Sequence, residues 1–127
     1  DAQESRGLGD VYKRQEWGRA AARLLLNDGA AFDAVICQND VLARGCIEEL
    51  ERSGCRVPQD VAVIGHDNSP DYVSYAHPLL TSIDDNNEML GRQAALCLLD
   101  AIAGHPHHGV ERVPVKLIQR ESTLPLD

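Results

Sequence analysis

The sequence predicts an α/β fold built around a parallel sheet, on three observations. Two short apolar runs, residues 32–38 and 61–65, are each bounded by turn-forming residues, as strands covered on both faces are. Between them, Leu42, Cys46, Ile47 and Leu50 recur at helical spacing. Each apolar run also ends on a polar pair, Asn39-Asp40 after the first and His66-Asp67 after the second. Strand, helix and strand in that order make a βαβ unit, whose strands must run parallel and finish on the same edge of the sheet. In open α/β sheets that carboxyl edge is where ligands bind.

The other elements follow in chain order. Residues 1–15 are polar and Gly-bearing, show no helical or strand periodicity, and resemble a translated adaptor or cloning junction, so a non-native or disordered segment outside the fold is expected there. In residues 16–27, Trp17, Ala20, Ala21, Leu24 and Leu25 fall three and four apart and predict a helix with one buried face. Asn39-Asp40 can cap the next helix, with Asp40 the expected cap and Asn39 turned to the strand-end cleft. Gly54 supplies that helix with a left-handed stop, and Arg44, Glu48 and Arg52 make a charged ladder expected to be solvated. Residues 68–78 read as a loop and 79–83 as a short strand or crossing segment. Asp85, with Glu88 three residues on, has the arrangement of a capping box and opens a helix over 87–103 that Gly104 closes. Met89, Leu90, Leu96, Leu98, Leu99 and Ile102 leave that helix little polar face, so it needs partners on two sides. Val113, Val115 and Leu117 alternate as an edge strand, and residues 120–127 trail off.

Composition narrows the function. A chain of 127 residues, 43% hydrophobic and 25% charged, is a soluble globular domain or a piece of one. Its formal charge of -8, with no stripe of Lys and Arg, repels phosphate backbones, so this segment is not expected to bind DNA itself. Cys37, Cys46, Cys55 and Cys97 fall in no metal-type spacing and read as buried free thiols, which points to a reducing, cytoplasmic setting. No apolar stretch approaches the roughly 18 residues of a membrane span. Gly-x-Gly-x-x-Gly and P-loop signatures are absent from the sequence, and no cofactor is expected.

Four segments in register carry a family resemblance. Residues 32–40, ending Cys37-Gln38-Asn39-Asp40, residues 54–68, ending Gly65-His66-Asp67-Asn68, residues 78–83, Pro-Leu-Leu-Thr-Ser-Ile, and Arg120-Glu121-Ser122-Thr123-Leu124 resemble the C-terminal part of the lactose-repressor (LacI/GalR) family of bacterial transcription regulators. The resemblance implies a three-layer lobe of a type I periplasmic-binding-protein-like fold, present here as residues 16–127. It also implies a helix 87–103 that packs on an N-terminal lobe lying, with a helix-turn-helix headpiece, outside this chain. In such a regulator a small polar effector, a sugar or nucleobase-type metabolite, binds between the lobes and controls operator DNA binding by a homodimer. The alternative is an extracytoplasmic sugar-binding protein of a transporter; an enzyme is disfavoured.

By motif, Asn39, Asp67 and Asp85 match positions that face the effector, while His66 stands where an aromatic residue is usual. The residues also allow plainer roles: Asp67 can be a turn residue, Asn39 a cap, and His66 a packed loop histidine or a ligand contact. The resemblance implies a dimer surface on the helix 41–53 and the loop 69–78, with Leu42, Glu49, Tyr72 and Tyr75 contributing. His105, His107 and His108 cluster in a loop with no acidic or Cys partner beside them, and no metal is expected there. Asp84-Asp85 do not suggest acid-base catalysis, because adjacent residues on an extended chain point to opposite faces.

Overall fold

The structure is a computed structural model that describes residues 2–29 and 31–123, with side chains described from Arg14 onward. Its elements are α1 (Ala2–Asn27), β1 (Ala34–Ile36), α2 (Asp40–Arg52), β2 (Ala62–His66), α3 (Pro70–Val73), β3 (Thr81–Asp84), α4 (Asn87–Ile102) and β4 (Lys116–Ile118). The sheet order is β1-β2-β3-β4. The first three strands are parallel, with Val35 beside Val63 and Gly65 beside Ser82, whereas β4 pairs antiparallel with β3. The βαβ unit read from the sequence is present, in a sheet that is mixed rather than wholly parallel.

The core lies between α2 and one face of the sheet. Ala43, Cys46, Ile47 and Leu50 of α2 cluster with Val57, Val61, Val63, Val73 and Leu80. Along β2 the burial alternates, with Val63 and Gly65 buried and Ala62 and Ile64 half-buried. The apolar runs therefore are not covered on both faces as expected, and Ile36 at the end of β1 is 75% exposed. No residue of α4 is buried, so α4 contributes no cover to the second face.

Helix α1 departs from the sequence reading twice. It begins at Ala2 rather than Glu16, because a helix nucleated by docking on α2 extends at small cost per residue even through a polar segment. Its buried face also differs: Gly18 and Ala22 are buried, while Trp17 and Leu24 are exposed. Close approach decides this. A Cβ at Gly18 would strike the carbonyl of Leu42, and one at Gly45 that of Gln15, so the helices cross where both are smallest. Small residues outcompeted the larger apolar stripe because only they let the two backbones meet.

Three polar features hold what the periodicity left loose. Arg44, expected in the solvated ladder, is 1% exposed. Its guanidinium donates to the carbonyls of Tyr72, Val73 and Pro78, fixing the connection between β2 and β3. The tail expected to trail off is instead pinned through Ser122: its hydroxyl donates to the Val63 carbonyl at 2.6 Å and accepts from the Thr81 N–H at 2.8 Å. Residues 124–127 of that tail lie outside the described residues. Asp85 does not form a capping box either. The residue before α4 is Asn86, left-handed at φ 55° with no side-chain cap, and its N–H donates to Asp84 at 2.8 Å.

Candidate functional site

The parallel strands β1, β2 and β3 deliver their carboxyl ends to one edge, and with them the residues that follow each strand. After β1, Asn39 has extended backbone, and its Oδ1 accepts the Leu42 N–H at 2.9 Å. Asn39 therefore caps α2 in place of the expected Asp40, while also lining the cleft. A cap must be extended and the next residue helical, so the first of two adjacent polar residues takes the role. Asp40 is fully buried instead, accepting from the Ser82 hydroxyl at 2.6 Å and the Ser69 N–H at 2.7 Å. Burial pushes its carboxyl above the usual range, and those two hydrogen bonds oppose the shift.

After β2 the backbone turns left-handed at Asp67 (φ 99°) and Asn68 (φ 48°). Such conformations are costly for residues with a Cβ and persist where surroundings impose them. Here the Asp67 N–H donates to the Ile83 carbonyl at 3.0 Å, the Asn68 N–H donates to Ser82 Oγ at 3.0 Å, and Arg120 donates to the Asn68 side chain at 2.8 Å. The turn leaves the Asp67 side chain 53% exposed. His66 lies between two carboxylates, Nδ1 3.3 Å from Asp67 and Nε2 3.2 Å from Asp85.

Asn39, His66 and Asp67 line one open cleft of about 860 Å³, together with Gln38, Leu42 and Trp17. Asp85 is not part of the cleft lining and meets it only through His66, 3.2 Å away. The cleft offers an amide that donates and accepts, a carboxylate that accepts, and an indole face, the combination that orients a polar ligand with an apolar side. Sequence reasoning missed Trp17, which it had assigned to a buried face, and Gln38, which no signal marked beyond its place before Asn39. Arg14, from the segment expected outside the fold, also borders the cleft. His66, Asp67 and Asp85 could offer three ligand atoms to a cation, within 4.8 Å of one another.

The residues expected at a dimer surface separate. Tyr72 and Tyr75 stand together as an edge-to-face pair 6.3 Å apart, with the Arg44 guanidinium 5.2 Å from the Tyr75 ring centre. Glu49 is only 3% exposed, held by Arg23 at 3.1 Å and Arg52 at 2.6 Å, because α1 docks over it. Leu42 is half-buried and turns to the cleft. Of the four, Tyr75 is the exposed one.

Residues 3–123 match the family model described as a periplasmic binding protein-like domain. The chain belongs to that family. Among its members it is similar to the HTH-type transcriptional regulator CelR of Thermobifida fusca, 39% identical over 83% of this chain and 31% of that one. Its structure is similar to that of a CelR–cellobiose complex, with a TM-score of 0.75 and 38% identity over 85% of this chain and 33% of the other. It is also similar to the lac repressor dimer bound to operator and the anti-inducer ONPF, with a TM-score of 0.79 and 32% identity over 85% of this chain and 37% of that one. The chain thus spans about a third of the length of these relatives. The LacI-type resemblance and the α/β lobe read from the motifs are both borne out, and the relatives are transcription regulators rather than enzymes. Among the described residues no helix is long and apolar enough to cross a membrane.

Proposed function

We propose that this periplasmic-binding-protein-like chain is the C-terminal part of the effector-binding and dimerisation core of a cytoplasmic LacI-type regulator. Its strand-end cleft holds one side of a small polar metabolite, a sugar first. One observation carries the reading: the adjacent parallel strands β1 and β2 bring Asn39, His66 and Asp67 at their carboxyl ends to a single open cleft. Asp67 accepts from ligand hydroxyls, Asn39 has its amide nitrogen left to donate, and Trp17 covers the apolar side. The name of the CelR–cellobiose complex supports a sugar. The relatives favour a regulator over a transporter's binding protein.

The exposed apolar side chains of α4, among them Leu98 at 62%, Leu99 at 61% and Ile102 at 75%, belong against an N-terminal lobe supplied by a longer chain. That lobe forms the other wall of the cleft. Residues 16–127 make up most of this unit, and the continuation of α1 before them joins it, with Gln15 packed on Gly45 and Arg14 at the cleft. Tyr72 and Tyr75 contribute to a homodimer surface, and operator DNA is bound by a helix-turn-helix outside this acidic segment. An effector shifts DNA affinity only through differential affinity for the two lobe arrangements. The test is a thermal-shift screen of sugars and nucleosides against the longer regulator that carries this chain. A sugar that raises the melting temperature with the logarithm of its concentration above Kd is expected, and a protein indifferent to every polar metabolite counts against the proposal.

A further inference from the structure

We propose that Cys97, His107 and Glu111 form a Zn²⁺ site that staples α4 to the loop leading into β4. The sequence set the histidines of this loop apart from any acidic or thiol partner; the fold brings those partners in. His107 Nδ1 lies 3.0 Å from Glu111 Oε1, and Nε2 lies 2.8 Å from Asp100 Oδ2. Cys97, His107 and Glu111 each offer one ligand atom, all within 4.8 Å of one another. A tetrahedral zinc ion with bonds of about 2.0–2.3 Å keeps its ligand atoms roughly 3.3–3.7 Å apart, so modest side-chain shifts admit the ion.

The surroundings suit an ion better than a simple charge pair. With Nδ1 turned to the ion, the Nε2–H donates to Asp100, the carboxylate partner that fixes tautomer and ring orientation in metal-bound histidines. Glu111 is held in the same way, since Gln93 Nε2 donates to its Oε2 at 2.6 Å and leaves Oε1 facing His107. Gln93 and Cys97, one turn apart, are the half-buried positions of α4. The loop therefore covers this stripe and leaves the other apolar faces of α4 free. A thiolate, an imidazole and a carboxylate select zinc over magnesium or calcium, and three protein ligands leave the fourth position to water. Site and cleft share no residue, so the proposal stands independently of the effector reading.

The experiment uses Co²⁺ as a spectroscopic substitute on the reduced chain, with circular dichroism of each variant to confirm the fold. A thiolate-to-cobalt charge-transfer band that saturates at one equivalent and is erased by Zn²⁺ is expected. Cys97→Ser should remove the band, His107→Ala should weaken Zn²⁺ binding at least about 100-fold, and Asp100→Asn should weaken it about 10- to 100-fold. His105→Ala and His108→Ala should change nothing. The proposal is overturned by the absence of a band, by a band that survives Cys97→Ser and so belongs to another thiol, or by unchanged binding in His107→Ala.

Discussion

The Ser82 hydroxyl donates to the buried carboxylate of Asp40 at 2.6 Å, tying β3 to the first turn of α2. The Ser69 N–H completes the carboxylate's partners at 2.7 Å. Gly65 makes room for this arrangement, since a Cβ there would meet Asp40 and the side chain of Leu80.

Removing that carboxylate takes the acceptor from the buried Ser82 hydroxyl and from the half-buried Ser69 N–H. Asp40→Ala is expected to destabilise the fold by about 1–3 kcal/mol in urea unfolding, with the slope against denaturant unchanged. Gly65→Ala should be destabilising as well, by displacing Asp40 rather than by exposing surface. Equal midpoints for Asp40→Ala and the parent would show the contact to be dispensable.

Arg44 holds three carbonyls of the 72–78 connection at once. Arg44→Met keeps the aliphatic stem but takes the guanidinium donors from the Tyr72 and Pro78 carbonyls and leaves Val73 only the Leu80 N–H, and a loss of about 3 kcal/mol is expected. Hydrogen exchange should quicken first at the amides of Val73 and Leu80, whose pairing depends on this turn. Uniform exchange across the chain in the variant would contradict a local role.

Arg56 and Asp60 give a pH-dependent contribution whose sign is fixed. Hydrogen bonds from the Arg56 side chain and N–H lower the Asp60 carboxyl from 3.8 to about 2. A carboxyl depressed in the folded state adds stability above its unfolded value, and that contribution is lost as pH falls through about 2. An NMR titration should place the Asp60 midpoint near 2, and Arg56→Ala should return it toward the ordinary value. A midpoint near 4 in the parent would remove the pair from the folded state in solution.

The strands, the βαβ connection and the polar pairs at the strand ends were legible because each follows from period, turn residues and chain direction. Side-chain pairing was not legible. Arg44 sits at a position that helical spacing turns outward, yet the 72–78 carbonyls converge on it from residues far along the chain. Ser122 bridges β2 and the start of β3 from a tail with no periodic signal. Trp17 and Gly18 exchanged their expected places because the choice of face on α1 is set by backbone approach to α2. In the site, Asn39 and Asp67 came from strand-end logic, whereas the His66–Asp85 contact depends on the left-handed turn at Asp67 and Asn68.

The effector reading rests on Asp67, whose carboxylate stands in the cleft without a structural bond that its loss would break in the core. The direct measurement is operator release by the longer regulator as a function of sugar concentration, for the parent and for Asp67→Ala. The variant is expected to fold, dimerise and bind operator like the parent while needing at least about 10- to 100-fold more sugar for release. A variant that releases operator at the parent's sugar concentration would reduce Asp67 to a turn residue and remove the strand-end cleft from the effector site.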